Sequence, residues 1–174
     1  MQNTKDRLIQ SSRLVVRTAM VTNRLFLSAV TIGLLLSFLF PAQFTALLIQ
    51  PHAATDTQSE AAGLRLLMLL GITMSLAADR LLVALAQIIA SAGAGDPFIS
   101  ANARRLQTIG WALLVLQLLD IPGAILERFF PSLGSGTPGV PFSPGGWIAV
   151  LMVFVLSRVF AVGSAMRDEL EGTV

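Results

Sequence analysis

The stretch Ala94-Gly-Asp-Pro-Phe-Ile-Ser-Ala-Asn-Ala-Arg-Arg-Leu-Gln-Thr-Ile-Gly-Trp111 decides the fold, because it forms a polar turn between two long apolar runs. Asp96 followed by Pro97 predicts a helix start, since Asp can cap free backbone N–H groups and proline loses no hydrogen bond at the first helical position. Spacings of four, three and four then place four side chains on one helical face: Phe98, Asn102, Arg105 and Ile109. This face is a candidate interaction surface; alternatively, the turn is an ordinary capped connection whose arginines only fix orientation.

The composition indicates that lipid surrounds the chain. The 174 residues are 54% hydrophobic and 13% charged, with a mean hydropathy of +0.74, whereas soluble domains average about 25% charged residues. The absence of cysteine excludes disulfides and thiolate metal sites. The single histidine, His52, lies in a polar loop, which is typical of a solvated side chain. We therefore expect no metal and no cofactor, and the lipid bilayer as the main partner.

Four apolar stretches are each long enough to cross about 30 Å of hydrocarbon at about 1.5 Å per helical residue. The sequence predicts an all-α membrane protein, a single domain of four transmembrane helices in an antiparallel bundle. The expected spans cover about residues 26–49, 62–85, 106–126 and 147–166. Asp120, Pro122 and Gly123 should interrupt the far end of the third span, and the proline- and glycine-rich stretch 129–146 reads as an outer loop.

Residues 1–24 form a basic amphipathic segment in which Arg13, Arg17 and Arg24 share one helical face. Such a helix can lie on an anionic leaflet before the chain turns inward, or its charges can simply hold the N-terminus in the cytoplasm. A cleaved signal peptide is a rival interpretation of the first span, because small residues follow Pro41. The preceding polar region is long for a signal peptide, however.

The distribution of basic residues predicts the orientation. The N-terminal segment carries five, and the turn and the tail add Arg104, Arg105 and Arg167. The opposite side offers only Arg128, and Arg65 at a helix edge. Because basic loops stay in the cytoplasm, both termini should be cytoplasmic. The predicted location is a cytoplasmic membrane, which the chain crosses several times.

Ionisable residues inside a membrane are costly and usually find partners in the bundle or line a polar cavity. Asp79 in the second span and Arg158 in the fourth should reach a similar depth. Small residues on their faces, Gly71 and Ser75 on one and Ala161 and Ala165 on the other, would let the helices approach. We therefore expect Asp79 and Arg158 to pair, with Asp120 and Arg65 as a similar outer pair. Such pairs either fix helix register or belong to a proton or ion relay, although a relay normally needs a chain of acids.

The sequence contains no pattern that predicts catalysis. Gly93-Ala-Gly-Asp-Pro is rich in glycine, but it lacks the lysine and the preceding strand of a phosphate-binding loop. Ser157 and Ser164 have no histidine near them. We therefore expect a non-enzymatic protein with no catalytic residue and no direct binding of nucleic acid.

Two motifs resemble a bacterial membrane family labelled domain of unknown function 2975. They are Gly95-x-Pro97-Phe98-x3-Asn102-x2-Arg105-Leu106-x2-Ile109-Gly110-Trp111 and Phe160-x2-Gly163-x3-Arg167-Asp168-Glu169-x-Glu171-Gly172-Thr173-Val174. The resemblance implies a four-helix membrane protein of uncharacterised activity. Such proteins are commonly encoded beside a small Cro/CI-type helix-turn-helix regulator, and this implies a membrane partner that holds or releases a transcription factor.

The leading hypothesis is a regulatory membrane protein with a cytoplasmic face built from the turn, the basic N-terminal helix and the acidic tail. A small transporter or channel component using Asp79 and Arg158 is the alternative, and a structural subunit of a larger complex is a third. A second copy of the chain is a further candidate partner. Within the cytoplasmic face, we predict that Arg105 pairs with Glu169 or Glu171 and that Asn102 bonds to the tail. The alternative is a solvated tail without fixed contacts.

Overall fold

The structure, a computed structural model, describes residues 2–48, 57–94, 98–130 and 143–171. These residues contain helices and no strand. The helices are α1 (Gln2–Leu39), α2 (Pro41–Leu48), α3 (Thr57–Gly93), α4 (Ser100–Phe129) and α5 (Pro144–Glu171). The all-α fold predicted from the sequence is confirmed.

Four helices are long and apolar enough to cross a membrane, namely Ile9–Leu39, Gln58–Gly93, Ser100–Phe129 and Pro144–Arg167. A helix satisfies its own backbone N–H and C=O groups, as the hydrocarbon interior requires. The chain is therefore a multi-pass membrane protein. The last three helices extend past the expected spans, whereas the first span begins earlier than expected and ends at Leu39, short of the expected residue 49. α4 runs unbroken through Pro122, where the sequence had predicted an interruption.

The basic N-terminal segment and the first span form one continuous helix, α1. This helix runs along nearly the whole of α3: the Arg13 guanidinium lies against Gly93, at the end of α3, and Ser37 bonds to Arg65, near its start. A helix that lies on the leaflet and then turns inward does not fit this arrangement. The N-terminal part of α1 instead accompanies the end of α3.

Pro41 ends α1 by removing a backbone donor. In a continuing helix the N–H of residue 41 would donate to the carbonyl of Ser37, but proline has no N–H. The Arg65 Nη2 donates to that carbonyl oxygen at 2.7 Å, and its Nε donates to the Ser37 hydroxyl at 3.2 Å. Arg65 Cζ also lies 4.8 Å from the centre of the Phe38 ring. The predicted pair of Arg65 with Asp120 is therefore wrong, because the orphaned carbonyl engages the guanidinium.

The long helices pack in the order of the sequence. α3 packs on α1, α4 packs on α3 and α5 packs on α4; among the described residues, no interface of comparable extent joins α1 to α4 or α5. Neighbours run antiparallel, since Asn102 near the start of α4 bonds to Ser91 near the end of α3. The bundle is therefore an open row, with α1 and α5 at its two edges.

Gly110 allows α4 and α5 to approach closely. A methyl group added at Gly110 would lie 3.1 Å from the ring of Phe154, which is tighter than ordinary contact. The same ring meets Trp111 edge to face, with centroids 5.4 Å apart and planes at 82°. The sequence motif Gly110-Trp111 is thus a packing position for one aromatic ring of α5.

The helix after the turn begins later than the sequence predicted. α4 starts at Ser100, with Ile99 at the N-cap in an extended conformation (φ −102°, ψ 146°). Asp96 and Pro97, the predicted cap and first helical residue, lie outside the described residues. The physical reason lies in Phe98: the extended backbone lets its ring reach α5, whereas a helical Phe98 would share the α3-facing side of Asn102.

The Arg65 contact gives the first testable prediction. Arg65→Met should destabilise the protein by about 1–3 kcal/mol, because the buried Ser37 carbonyl loses its donor. Pro41→Ala should reduce that loss, since alanine restores a backbone N–H at this position. Thermal melting in detergent of the two single variants and the double variant measures the coupling. An equal loss on Arg65→Met in both backgrounds would show that Pro41 does not create the need for Arg65.

Candidate functional site

Asn102 is the centre of a polar cluster between α3 and α4. Its side chain is fully buried, at 0% exposure, in the first turn of α4. The Asn102 Nδ2 donates to the Ser91 hydroxyl at 2.8 Å, and that hydroxyl lies 2.9 Å from the carbonyl oxygen of Ile88. A buried amide is tolerated only when its groups are hydrogen-bonded, so this contact ties the start of α4 to the end of α3.

Arg105 extends the cluster by one turn. Its Nη1 donates to Asn102 Oδ1 at 2.7 Å, and its Nε donates to Gln87 Oε1 at 3.0 Å. Gln87 and Ser91 are four residues apart on α3, and Asn102 and Arg105 are three apart on α4, so each pair shares one helical face. We call Gln87, Ser91, Asn102 and Arg105 the polar clamp. It fixes the register of α3 against α4 beside the turn.

The clamp contradicts the predicted contact between the turn and the tail. Arg105 donates to Gln87 and Asn102, on the side of α4 that faces α3, and Asn102 is enclosed in the same interface. Arg105 therefore does not pair with Glu169, which is an exposed residue of α5. The side chain of Glu171 lies outside the described residues. The error has a physical cause: α5 packs on another side of α4 from α3.

Phe98 and the end of α5 meet on that other side. The Phe98 ring stacks on Phe160, with centroids 5.1 Å apart and planes at 26°. A methyl group added at Gly163 would lie 3.9 Å from the Phe98 ring, at ordinary contact distance. Arg167 follows one turn later as an exposed residue. The predicted Phe98/Asn102/Arg105 face is thus divided, with the aromatic ring on α5 and the two polar groups on α3.

Asp79 pairs with α1, not with α5. The Arg24 Nε donates to Asp79 Oδ1 at 3.0 Å, and the side chains are 57% and 25% exposed. One turn away along α3, the Asn23 Nδ2 donates to the backbone carbonyl of Ser75 at 3.0 Å, and the Ser75 hydroxyl donates to Asn23 Oδ1 at 3.0 Å. The face of α3 that carries Asp79 and Ser75 packs against another helix, as predicted, but that helix is α1 and not α5. The predicted Asp79–Arg158 pair is therefore wrong.

Arg158 lies in a groove between α4 and α5. The groove has a volume of about 530 Å³, and its polar lining includes Arg104, Gln107, Ser157, Arg158 and Ser164. A second groove of about 310 Å³ runs between α3 and α4 and is lined by Arg80, Arg104 and Arg105 among others. Because Arg104 lines both, the two grooves open on the same side of α4. That side is strongly basic.

Sequence reasoning missed several of these residues. Gln87 and Ser91 lie four apart in an apolar helix, and a polar pair at that spacing indicates a buried face. Asn23 and Arg24 belonged to the basic N-terminal segment, which we treated as separate from the first span. Both residues lie within one turn of an apolar run, and this position was the signal that could have placed them in a helix interface. Arg24 could not be matched to Asp79 without knowing which helices are neighbours.

Among the described residues, no group of three or more His, Asp or Glu side chains could hold a metal ion. The hydrogen bonds at the turn come from amides, hydroxyls and guanidinium groups. Such an arrangement can hold two helices together and can present positive charge. It supplies no activated nucleophile, which would need an adjacent base.

Asn102 gives a prediction for the polar clamp. Asn102→Leu should destabilise the protein by about 1–3 kcal/mol, because the guanidinium of Arg105 and the hydroxyl of Ser91 lose a buried partner. Proteolysis at the turn after Gly93 should accelerate accordingly, with thermal melting as the second readout. Thr108→Ala is the matched control, since the exposed Thr108 hydroxyl bonds only to the Arg104 carbonyl in its own helix. Similar cleavage of both variants would contradict the role of the clamp.

A double-mutant cycle on Arg24→Gln and Asp79→Asn tests the α1–α3 contact. The two changes should couple by roughly 0.6 kcal/mol and by no more than about 1.7 kcal/mol, the range measured for contacts between membrane helices. Because the Arg24 side chain is largely exposed, we expect the coupling energy to lie toward the lower end of this range. Asp79→Asn and Arg158→Gln should instead add within about 0.5 kcal/mol, because they lie in different interfaces. Melting in detergent measures both cycles; a larger coupling in the second would restore the Asp79–Arg158 pair.

Comparison with known proteins agrees with the motifs at the turn and the tail. A search of curated proteins and a search of solved structures both give no match. A family model described as "Protein of unknown function (DUF2975)" matches residues 49–174, which include α3, α4 and α5. This match covers more than half of the chain and both motifs. The chain therefore belongs to the DUF2975 family, whose function is unknown.

Proposed function

We propose that the chain is a non-enzymatic regulatory protein of the bacterial inner membrane, which holds a soluble helix-turn-helix regulator at its cytoplasmic end. The proposal rests on one observation, which is that polar side chains and their contacts are concentrated at one end of the helix row. The end of α3 lies beside Arg13 of α1, and Phe98, just before α4, stacks on Phe160 near the end of α5. The N-terminal part of α1, the turn and the end of α5 therefore share one side of the membrane.

Basic residues support a cytoplasmic position for this end. Arg7, Arg13 and Arg17 line one exposed surface of α1, and Arg80, Arg104 and Arg105 line the α3–α4 groove. The opposite end of the row carries Arg65, which bonds to α1, and Arg128. Such an asymmetry favours retention of the basic end in the cytoplasm. A soluble regulator would then meet the turn and the first turns of α1.

The polar clamp supports binding rather than transport. A docking surface is most effective when its backbone is already fixed before the partner arrives, because less ordering entropy is lost on binding. The clamp fixes the end of α3 and the start of α4 in this way, on either side of the turn. The transport alternative relied on Asp79 and Arg158 acting together, and these side chains lie in the α1–α3 interface and the α4–α5 groove respectively.

The proposed orientation can be tested with single cysteines, since the native chain has none. Gln10→Cys and Ala94→Cys should be protected from a membrane-impermeant maleimide in intact spheroplasts and should react after lysis. Ser59→Cys and Ser143→Cys, at the opposite end, should react in intact spheroplasts. These four residues are exposed, so reactivity reports the side of the membrane. Labelling of Ala94→Cys before lysis would reverse the orientation.

The partner role is tested by co-expressing the chain with a small Cro/CI-type helix-turn-helix regulator of the kind commonly encoded beside members of this family. The regulator should be found in the membrane fraction, and Ala94→Glu at the turn should shift it severalfold toward the soluble fraction. Ser59→Glu makes the same kind of change at the other end of α3 and should have no effect. A regulator that remains soluble with the wild-type chain, or that responds equally to both variants, would contradict the proposal.

A further inference from the structure

The α4–α5 groove holds two arginine side chains that the described part of the chain does not engage. Arg104 and Arg158 line it, and neither guanidinium donates a hydrogen bond or forms an ion pair with a described residue. Arg24, Arg65 and Arg105 differ, because each donates to an acceptor on a neighbouring helix. The groove therefore concentrates positive charge that the described residues leave uncompensated.

The depth of Arg158 makes this charge significant. Arg158 belongs to the membrane-spanning part of α5 and lies about 14 Å before Arg167 along the helix axis. A guanidinium at such a depth is costly unless it reaches an anion, a carbonyl or the interface. Arg104 lies in the second turn of α4, and the contacts of Phe98 with Phe160 and of Gly110 with Phe154 on either side place it at about the level of Arg158. The two guanidinium groups therefore line the groove at a similar distance from this end of the helix row.

The remaining lining suits an anion with several acceptor oxygens. Ser100 and Ser157 supply hydroxyl groups, and Gln107 supplies an amide. None of the described residues that line the groove is acidic. Ser100 also begins α4, and Ile99 at the N-cap has no side-chain oxygen, so the positive end of the helix dipole adds to the potential.

We propose that this groove binds the phosphate group of an anionic phospholipid. The approach to Arg158 indicates a lipid rather than a soluble phosphate compound, because the side chain lies within the membrane-spanning segment. The face of α5 that carries Arg158 continues as an exposed apolar stripe at spacings of four, three and four, formed by Leu151, Val155 and Val162. An acyl chain can lie along this stripe while its headgroup contacts the two arginines. The inference requires only that the chain spans a membrane, and it does not depend on the proposed regulator.

Lipid retention measured by native mass spectrometry tests the site. The purified chain is mixed in mild detergent with phosphatidylglycerol or with phosphatidylcholine of the same acyl chains. The wild-type chain should retain phosphatidylglycerol preferentially. Arg158→Gln should weaken that retention about fivefold, the factor expected for one basic side chain at an anionic lipid surface. Arg104→Gln should have a similar effect.

Arg128→Gln is the matched control, because it removes the same charge near the other end of α4. This variant should retain phosphatidylglycerol like the wild type, and Arg158→Lys should retain more than Arg158→Gln. Equal losses for Arg128→Gln and Arg158→Gln would show a general charge effect and overturn the site. Unchanged retention for Arg158→Gln and Arg104→Gln would overturn it as well.

Two further measurements separate the alternatives. Inorganic phosphate should neither displace phosphatidylglycerol nor raise the melting temperature in neutral detergent; if it does both, the groove binds a soluble anion and the lipid assignment is wrong. In phosphatidylcholine nanodiscs, Arg158→Gln should melt at the wild-type temperature, because no bond within the described protein is lost. A large drop there would identify Arg158 as a structural residue and overturn the proposal.

Discussion

The hydrocarbon interior of a membrane offers no hydrogen-bond partner, and this constraint determines where the helices of this protein meet. Every polar group within the spans must be satisfied by the chain or by a lipid headgroup. The carbonyl of Ser37, orphaned by Pro41, is met by Arg65, and the amide of Asn102 is met by Ser91 and Arg105. Asn23 and Ser75 satisfy each other in the same way. These polar contacts determine which helices become neighbours. Aliphatic side chains do not, because lipid tails are as apolar as they are.

The three interfaces of the row differ in kind. α1 and α3 are joined by hydrogen bonds along their length, including one charged pair, and α3 and α4 are joined by the polar clamp beside their turn. α4 and α5 meet through aromatic rings and small residues, as Gly110, Trp111 and Phe154 show. The last interface also borders the groove lined by Arg104 and Arg158, so a lipid bound there as proposed would act on this interface most directly.

The sequence predicted the number of long apolar helices and the all-α fold because the length and hydrophobicity of a stretch are local properties. It also marked Asn102, Arg105 and Gly110 as structurally important. It assigned the wrong partners to Asp79, Arg65 and Arg105, because partner choice depends on which helices are neighbours. Similar depth suggested Asp79 with Arg158, yet α3 meets α1 on that face. The late start of α4 was also beyond prediction, since the reach of Phe98 toward α5 decides it.

The open row has a consequence for biogenesis. Each long helix packs on the next long helix to be synthesised, so no interface has to wait for a distant part of the chain. Such a nearest-neighbour order keeps contacts local and favours rapid assembly. During translation, the exposed polar groups of α1 meet α3 as soon as α3 enters the membrane, and α4 then closes the clamp. A ribosome paused after α4 would already carry two finished interfaces, which leaves the basic groove as the last element to form, once α5 arrives.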